Sequence, residues 1–451
     1  MWDTIHIYAM KQVLQQKRFS IAVIGTGYVG LVSGACFAEL GNKVMCADRD
    51  IRRIAKLKKG ILPFYEPGLS ALVRRNTKAG RLSFTEDMAE AVRASEIIFV
   101  CVGTPVEKSG QVNIESLRTA AESIGKAMKK PKTIVVKSTL PIGTGPALFT
   151  KSISRYWKGP FKFVSNPEFL SEGSAVFDFF HPDRIIIGAD SRRSASAGLA
   201  LYQRFACPKL VTSVENAGMI KYVSNAFLAT KISFINEVAN LCEKTGADVL
   251  EVARGIGLDK RIGKHFLRPG LGYGGSCLPK DLQAIFHVAK AHGYQAKLLR
   301  AVGAVNARQV RLFLGKIFSS FPNGKVRGRT IAVLGAAFKA NTDDIRESVA
   351  VKLIKELWKQ GAHVKVYDPW AAKNARLALG QKAQWCASLH EAASLAELLV
   401  IATEWKGFAR LNWGKIKRVM KRPVVGDGRN LLKPQKMKAL GFQYFGVGRN
   451  G

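Results

Sequence analysis

Phe19-Ser-Ile-Ala-Val-Ile-Gly-Thr-Gly-Tyr-Val-Gly30 is the stretch that decides the fold of this chain. It reads as a short apolar strand followed by a glycine-rich turn that opens a helix. A second strand-like run, Lys43–Asp48, follows, so the segment forms one βαβ unit. Asp48 stands about 20 residues past the turn, where a carboxylate binds the ribose 2′-hydroxyl of a dinucleotide. The stretch therefore predicts a dinucleotide site and favours NAD, although Arg49 would suit a 2′-phosphate.

The three glycines of the turn have separate roles. Gly25 allows the tight turn, Gly27 lets the backbone approach a pyrophosphate, and Gly30 lets the helix pack on the strand. The N-terminus of the helix then holds the phosphates. A lone motif of this kind is a weak signal, and the flanking strand, helix and acidic residue strengthen it.

The same alternation of strands and helices continues along the chain. Strand-like runs at Glu96–Val102, Thr133–Lys137, Phe161–Val164 and Arg184–Ile187 predict a doubly wound parallel sheet up to about residue 205. Residues 215–245 contain no proline and one glycine, which predicts one long helix followed by a mostly helical segment. Strand-like runs at Thr330–Leu334, His363–Tyr367, Glu397–Ala402 and Pro423–Gly426 predict a second sheet.

The expected fold class is therefore α/β, with two Rossmann-like doubly wound domains joined by a long central helix and a helical segment. The expected division is an N-terminal arm at 1–18, an NAD-binding domain at 19–205, a central helical and dimerisation domain at 206–318, and a second Rossmann-like domain at 325–451.

Composition restricts the kinds of partner. The chain has 70 Lys and Arg against 33 Asp and Glu, a formal net charge of +37, which attracts anionic ligands and could attract nucleic acid or an acidic membrane surface. Its seven cysteines are scattered and form no CxxC pair, so neither a disulfide framework nor a metal site is expected. A reducing cytoplasm is the expected location.

Two N-terminal segments have to be weighed as targeting or membrane signals. Met1–Arg18 has a short apolar core with its basic residues after it, so it is not expected to be a signal peptide. Phe19–Ala38 has no charge and the length of a membrane span, but its glycines and turn pattern favour the dinucleotide site.

Cys277 is the candidate nucleophile. It lies in Arg268-Pro-Gly-Leu-Gly-Tyr-Gly-Gly-Ser-Cys-Leu-Pro-Lys-Asp281, a glycine-rich loop that leads into a predicted helix with Ser276 as N-cap. The positive end of a helix favours thiolate, and Asp281 shares a helical face with the thiol. This is a nucleophile and base arrangement, and a small buried cysteine at a turn is an equal alternative on local chemistry.

Other polar residues fall where a ligand would bind. Lys221 and Asn225 are four apart on the long helix, so a cation and an amide can together hold an oxyanion, unless they form an ordinary solvated face. Thr104 and Thr139 follow predicted strands and can line the cofactor crevice, unless they are simple loop residues.

Six motifs occur together in this chain, and their set resembles the UDP-glucose/GDP-mannose dehydrogenase family. They are Gly-Thr-Gly-Tyr-Val-Gly (25–30), Tyr-Glu-Pro-Gly-Leu (65–69), Lys-Ser-Thr-Leu-Pro (137–141), Asn-Pro-Glu-Phe-Leu-Ser-Glu-Gly (166–173), Gly-Tyr-Gly-Gly-Ser-Cys-Leu-Pro-Lys-Asp (272–281) and Phe-Lys-Ala-Asn-Thr-Asp-Asp-Ile-Arg-Glu-Ser (338–348). The resemblance implies a four-electron, NAD-dependent oxidation of a nucleotide sugar, UDP-glucose to UDP-glucuronate, through a thiohemiacetal and a thioester at the cysteine.

The resemblance also implies residue roles. The catalytic residues are expected to be Cys277, Lys221, Asn225, Asp281, Thr139 and Glu168, with Glu168 and Asp281 both open as the base for hydrolysis. The cofactor contacts are expected to be Gly25, Gly27, Tyr28, Val29, Gly30, Asp48, Arg53, Thr104, Thr139, Glu172, Lys280 and Arg346. The substrate contacts are expected to be Glu168, Phe169, Leu170, Glu172, Lys221, Asn225, Arg261, Phe266, Leu267, Arg268, Pro269, Gly270, Gly274, Lys339 and Arg429.

The resemblance leaves two alternatives. Another nucleotide sugar, GDP-mannose or a UDP-N-acetylhexosamine, is the alternative substrate, although Ser276 and Tyr273 favour UDP-glucose. A basic protein that binds nucleic acid or a membrane surface on a Rossmann scaffold is the remote alternative, and the basic, aromatic segment Trp405–Arg422 is its best evidence. A homodimer or larger homo-oligomer is expected, with no obligate nucleic acid, no transmembrane segment and a peripheral contact with an anionic surface allowed by the charge.

Overall fold

The computed structural model describes residues 18–107 and 109–449, so all of the predicted N-terminal arm except Arg18 lies outside the described range. The described residues form two compact units. The first contains residues up to 104 and 113–221, and the second contains 105–112 and the residues from 222 onward.

The first unit is built on one eight-stranded sheet. Its strands are β1 Ser20–Ile24, β2 Lys43–Ala47, β3 Leu82–Thr85, β4 Ile97–Val100, β5 Thr133–Val136, β6 Lys162–Ser165, β7 Ile185–Ala189 and β8 Lys209–Thr212. Their order across the sheet is β3-β2-β1-β4-β5-β6-β7-β8. The order reverses beside β1, and the crevice at the carboxyl end of such a reversal is where this class of sheet binds ligands.

The sheet differs from the sequence prediction in two respects. β7 runs antiparallel to β6, so the sheet is not parallel throughout. A buried strand carries the same apolar pattern in either direction, and the sequence therefore gives no sign of the reversal. The edge strands β3 and β8 were not predicted, because four-residue strands at the edges of a sheet have too few residues to show a clear period.

Helices cover both faces of this sheet. They are α1 Tyr28–Glu39, α2 Ile51–Lys58, α3 Leu69–Lys78, α4 Met88–Ala94, α5 Glu115–Ala127, α6 Gly145–Ile153, α7 Ala175–Phe180 and α8 Arg192–Ala200. Successive side chains of β1 point to opposite faces. Ile21 and Val23 join one buried cluster, and Ala22 and Ile24 join the other. The strand is thus apolar on both faces, as its sequence required.

The second unit contains a six-stranded parallel sheet and most of the remaining helices. Its strands are β9 Thr330–Leu334, β10 His363–Tyr367, β11 Gln384–Trp385, β12 Leu398–Ile401, β13 Val424–Asp427 and β14 Gln443–Gly446, in the order β11-β10-β9-β12-β13-β14. The prediction of an α/β chain with two Rossmann-like sheets is confirmed.

A single helix, α9 Val214–Thr245, begins in the first unit and ends in the second. The later helices are α10 Val249–Gly257, α11 Leu278–Ala291, α12 Lys297–Ser319, α13 Val349–Lys359, α14 Ala372–Leu379, α15 Leu389–Ala393, α16 Lys406–Ala409, α17 Trp413–Val419 and α18 Pro434–Ala439. Two short 3-10 helices lie at Pro322–Gly324 and Gly380–Lys382. The predicted long helix is confirmed.

The two sheets share one local device at the end of their first strand. In the first unit, Gly25 has a φ of 97° and donates its N–H to Ala47. In the second, Gly335 has a φ of 99° and donates to Tyr367. In each turn a backbone N–H donates to an acidic side chain at the end of the neighbouring strand. The acceptor is Asp48 in the first unit and Asp368 in the second. The repeated order of elements in the sequence therefore corresponds to a repeated turn geometry.

The fold bears on two observations from the sequence, the uncharged segment Phe19–Ala38 and the aromatic residues of 405–422. The segment Phe19–Ala38 forms β1 and most of α1, and no helix in the described ranges is both long and apolar enough to cross a bilayer. The aromatic residues that interleave with the cations of residues 405–422 are not surface groups. Trp405, Phe408 and Trp413 are 7%, 3% and 2% exposed, because they pack into the core beneath α16 and α17.

The glycine turn gives a test with a built-in control. A Cβ on Gly30 would lie 1.9 Å from the carbonyl oxygen of Gly25, whereas one on Gly27 would meet no atom within 4 Å. We expect Gly30→Ala to destabilise the protein by roughly 1–3 kcal/mol, because the turn and helix must separate. Gly27→Ala should cost less than ~1 kcal/mol and instead weaken NAD binding. Thermal unfolding and NAD titration measure both effects, and equal unfolding temperatures for the two variants would contradict the packing role of Gly30.

Candidate active site

Asp48 organises the cofactor side of the first unit. Its Oδ2 accepts hydrogen bonds from the Thr26 N–H at 2.7 Å and the Thr26 hydroxyl at 2.8 Å, and Arg53 lies 3.0 Å away. Burial alone would raise the pKa of Asp48, but hydrogen bonds from Asp50 and Thr26, together with Arg53, bring that pKa below its usual range. A carboxylate whose charged form is favoured in this way suits a ribose hydroxyl and repels a phosphate.

The start of α1 is open in the way a diphosphate requires. Gly27 is the N-cap, no side chain caps the helix, and its first turn carries no acidic residue. A Cβ on Gly27 would point into empty space, so the backbone N–H groups are accessible at close range. The residues of the turn therefore fit a dinucleotide, with the helix terminus toward the phosphates and Asp48 toward the ribose.

The other predicted cofactor residues of the first unit lie near strand ends. Thr104 and Thr139 are half-buried and follow the neighbouring strands β4 and β5. Because the carboxyl ends of parallel strands meet at one edge of a sheet, the two threonines share that edge. Glu172 is buried in the loop that follows β6.

Glu168 and Lys221 form a buried ion pair in the first unit. The Lys221 Nζ lies 2.9 Å from Glu168 Oε1 and 2.7 Å from the Glu168 carbonyl oxygen, and the two side chains are 4% and 8% exposed. Burial alone would raise the pKa of Glu168, but Lys221 and the Leu170 N–H bring it below its usual range. The pair fixes the predicted substrate loop 168–172 to the start of α9.

Lys137 is a buried cation for which the sequence motif suggested no role. Its Nζ lies 3.1 Å from Asn166 Oδ1 and 3.4 Å from the Tyr202 hydroxyl, and Asn166 donates to the Ile186 carbonyl. Burial lowers the pKa of Lys137 to about 8. A lysine directly after the apolar run Ile134–Val136 of β5 was the available sequence signal.

Glu66 is a second residue that the motifs contained without a role. Its carboxylate accepts hydrogen bonds from the Gly173 N–H at 2.6 Å, the Ala175 N–H at 2.7 Å and the Tyr28 hydroxyl. Burial is the main reason that its pKa is raised above the usual range. Glu66 thereby ties the first residue of α1 to the end of the 166–173 loop, so the cofactor turn and the predicted substrate loop share one anchor.

In the second unit, the loop that carries Cys277 packs tightly against residues 338–348. The Gly275 N–H donates to the Arg346 carbonyl at 2.9 Å. A Cβ on Gly274 would lie 2.2 Å from the Glu347 carbonyl oxygen, and one on Gly275 would lie 2.6 Å from the ring of Phe338. Only glycine allows this approach, so two motifs about 60 residues apart in the chain meet because of their glycines.

Cys277 itself is the N-cap of α11, which corrects the prediction of Ser276 for that position. Pro279 lies in the first turn, as expected. Because its φ is fixed, the helix begins at Leu278, one residue later than it would begin with Ser276 as the N-cap. The Ser276 hydroxyl lies 3.6 Å from the Cys277 Sγ. The thiol is half-buried and stands at the positive end of the helix, which is the environment that favours thiolate.

Asp281 lies one turn into α11, and each of its two carboxylate oxygens has a partner. Asn225 Nδ2 donates to its Oδ2 at 2.6 Å, and Lys280 pairs with its Oδ1. Asp281 is 1% exposed and Asn225 is buried. The structure thus joins three of the predicted site residues, Asn225, Lys280 and Asp281, in the second unit.

The predicted sugar-nucleotide contacts of the second unit surround the same loop. Arg429 is 12% exposed, and its guanidinium donates to the carbonyl groups of Ala402, Gly272 and Phe338. The Gly270 N–H donates to Asn236 Oδ1, a buried contact that the sequence reasoning missed. Phe266 has a φ of 64°, and its ring is exposed in the same loop. The remaining members of this group are Leu267, Arg268, Pro269 and Lys339.

The side chains of Arg261 and Arg346 are largely exposed. Arg261 is 89% exposed and pairs with Asp259 at 2.6 Å. Arg346 is 60% exposed and pairs with Asp344 at 2.6 Å, while its carbonyl group holds Gly275. Their guanidinium groups therefore face solvent in this chain.

Three stretches of the chain match the domains of one protein family. Residues 19–206 match the NAD-binding domain of the UDP-glucose/GDP-mannose dehydrogenase family, residues 215–308 match its central domain, and residues 332–434 match its UDP-binding domain. This chain belongs to that family.

Named relatives agree with the family assignment. A UDP-glucose 6-dehydrogenase of Bacillus subtilis is 47% identical over 431 residues, which cover 95% of this chain and 93% of that protein. The structure of a UDP-glucose dehydrogenase from Pyrobaculum islandicum has a TM-score of 0.89 at 39% identity and covers 96% of this chain and 99% of that one. A UDP-D-ManNAc dehydrogenase from Pyrococcus horikoshii has a TM-score of 0.84 at 28% identity, with coverage of 95% and 99%.

The buried ion pair allows a double-mutant test. We expect Lys221→Met to destabilise the protein by about 3–5 kcal/mol, because it leaves the Glu168 carboxylate buried without its cation. The double variant Glu168→Gln with Lys221→Met should be markedly more stable than Lys221→Met alone, as measured by urea unfolding.

The exposed pair Lys352–Glu347 is the matched control, since its side chains are 53% and 55% exposed at 2.6 Å. Its coupling free energy should stay below about 1 kcal/mol. Equal coupling for the two pairs would show that burial does not set the strength of the Glu168–Lys221 pair.

Proposed function

We propose that this protein oxidises UDP-glucose to UDP-glucuronate in two NAD-dependent steps. The observation that carries the proposal is the start of α11, where Cys277 occupies the N-cap position and Asp281 is buried one turn later between Asn225 and Lys280. A dehydrogenase that stops at the aldehyde needs no thiol, whereas oxidation of an aldehyde to a carboxylate needs a nucleophile.

In the first step the protein removes a proton from the sugar 6-hydroxyl. Asp281 is the proposed proton acceptor through a water molecule, and Lys221 and Asn225 stabilise the negative oxygen. NAD⁺, when bound, would supply the hydride acceptor for each oxidation. The turn at Gly25–Gly30 and Asp48 would hold this cofactor, with the open helix terminus available to its phosphates and the carboxylate available to its ribose.

In the second step Cys277 adds to the aldehyde carbon as a thiolate. The product is a thiohemiacetal, and loss of a hydride converts it into a thioester that water hydrolyses. Glu168 and Asp281 are both carboxylates suited to activate this water. Glu168→Gln distinguishes them, because the thioester should accumulate on Cys277 in this variant only if Glu168 is the hydrolytic base, whereas Asp281→Asn would already block the first step.

The thiol and the stoichiometry give one direct test. We expect two NADH for each UDP-glucuronate formed, and Cys277→Ala should lower net turnover by several orders of magnitude while NAD⁺ and UDP-glucose still bind. NADH absorbance together with product chromatography measures both. UDP-N-acetylmannosamine and GDP-mannose serve as competing substrates, and one NADH per turnover with free aldehyde in solution would contradict the scheme.

We also propose that the protein is at least a dimer, formed along α9. This helix has 32 residues and is about 48 Å long. It exposes Met219, Val223, Phe227, Phe234 and Leu241, at intervals of four and seven residues that place them on one stripe. A symmetric copy of the same stripe would bury these side chains. Arg261 is then available to reach the sugar nucleotide of the neighbouring subunit.

Mixing two inactive variants tests the shared site. Cys277→Ala and Arg261→Ala chains should each be inactive, and exchange of their subunits should restore some activity, because one hybrid site has both residues intact. Sedimentation measures the exchange and the assembly state. Phe227→Lys with Phe234→Lys should give a monomer of low activity. A fully active monomer would eliminate the shared site.

A further inference from the structure

The positive charge of this protein is concentrated at its C-terminal end. Residues 405–451 contain 12 of the 70 basic residues and one of the 33 acidic residues. That residue, Asp427, is fully buried and accepts hydrogen bonds from the Arg429 N–H, the Leu432 N–H and the Tyr444 hydroxyl. The Asp427 carboxylate therefore accepts hydrogen bonds in the interior and does not offset the positive charge at the surface of residues 405–451.

Eight exposed cations define what we call the basic face. They are Lys406, Arg410, Lys415, Arg418, Lys421, Lys433, Lys436 and Lys438, on or beside the helices α16, α17 and α18. The segments that carry α17 and α18 are in direct contact. Lys417 donates to the Leu440 carbonyl at 2.9 Å, and the rings of Trp413 and Phe442 meet edge to face at 5.9 Å. The cations of α17 and α18 thus belong to one continuous surface.

The buried side of these helices fixes the direction of the cations. Phe408, Trp413, Ile416 and Met437 are between 1% and 5% exposed and belong to the core of the second unit. Because the apolar side of each helix is packed inward, the basic side chains have to stand outward. The described residues from 396 to 449 also include no exposed large hydrophobic side chain.

Few acidic groups neutralise the basic face. Lys421 lies 3.6 Å from Glu397. Within the described ranges, the other seven cations form no ion pair with a carboxylate. Their fields add together rather than cancel, and such a surface attracts polyanions over about a Debye length, roughly 8–10 Å.

We propose that the basic face docks this protein on an anionic lipid surface. Clusters of four to eight Lys or Arg side chains attract acidic bilayers in this way, by roughly 1 kcal/mol per charge near the surface. Because the described residues from 396 to 449 expose no large apolar side chain, the contact is electrostatic and reversible rather than inserted.

Two features favour a lipid surface over nucleic acid. Six of the eight cations are lysines, which act as point charges. Arginine, in contrast, is the residue that forms bidentate hydrogen bonds with nucleic-acid phosphates. No aromatic ring is exposed on the basic face to stack with bases, and its helices have four, seven and six residues, too short for the recognition helices that read a groove.

The docking surface is separate from the proposed active site. None of its eight cations is among the residues assigned to the thiol, the cofactor or the sugar nucleotide. Arg429, which is assigned to the substrate, points inward to carbonyl groups of the second unit. Removal of charge from the basic face should therefore leave turnover of soluble substrate unchanged, so a failure of this proposal is distinguishable from a failure of the proposed function.

Sedimentation with vesicles tests the proposal on the full chain. We expect binding to vesicles that contain phosphatidylglycerol and not to vesicles of phosphatidylcholine alone. The variant K415Q/R418Q/K433Q/K436Q should bind at least ~10-fold more weakly. Binding by the unchanged protein should also fall steeply with added salt.

The matched control is K352Q/K359Q/K373Q/R376Q, which removes four exposed cations from α13 and α14 of the same unit. It should keep at least half of the vesicle affinity and full NADH formation. Equal losses in the two variants would overturn the proposal, because the effect would then follow total charge and not the basic face. Tighter binding to duplex DNA than to vesicles, lost in the first variant, would assign the face to nucleic acid and also overturn it.

Discussion

The buried ion pair between Glu168 and Lys221 is the interaction on which the predicted substrate side of the first unit depends. Two charges have been taken out of water, and their mutual attraction offsets that cost only because the 2.9 Å contact and the added bond to the Glu168 carbonyl satisfy them. Such a pair contributes little net stability. It specifies geometry, since the loop after β6 can hold only the position in which both charges are compensated.

Other buried charges near this pair also cost stability. The pKa of Lys137 falls to about 8 because the side chain is buried, which corresponds to a penalty of about 3 kcal/mol for its charged form. Below pH 8 the folded and unfolded chains are both protonated, and the penalty is complete. As the pH rises from about 8 toward 10.5, the folded chain loses this proton first and the penalty is relieved. A protein built only for stability would place an apolar residue there.

The sequence was a good guide wherever a residue type was required by backbone geometry. The Gly25 turn and the long helix α9 follow from glycine and the apolar period, and the start of α11 follows from glycine and proline to within one residue. It failed where partners are distant in the chain. Nothing in Tyr-Glu-Pro-Gly indicates that Glu66 bonds to residues more than 100 positions away, and nothing in an apolar strand shows that β7 runs antiparallel. It also failed at Trp405 and Trp413, because aromatic residues among cations have the same pattern on a surface and over a core.

The arrangement of acidic residues explains how the site and the surface differ in charge. Within residues 18–107 and 109–449, eight acidic residues are buried, among them Asp48, Glu66, Glu168, Asp281 and Asp427, whereas only three basic residues are. The acidic side chains act largely as fixed acceptors for N–H groups and for a few selected cations. Their removal from the surface leaves the exterior more cationic than the formal net charge of +37 indicates. The whole surface therefore attracts anionic ligands over a distance. Under the proposed function, carboxylates such as Asp48 then select a diphosphate ligand at close range, because they accept a hydroxyl and repel an additional phosphate.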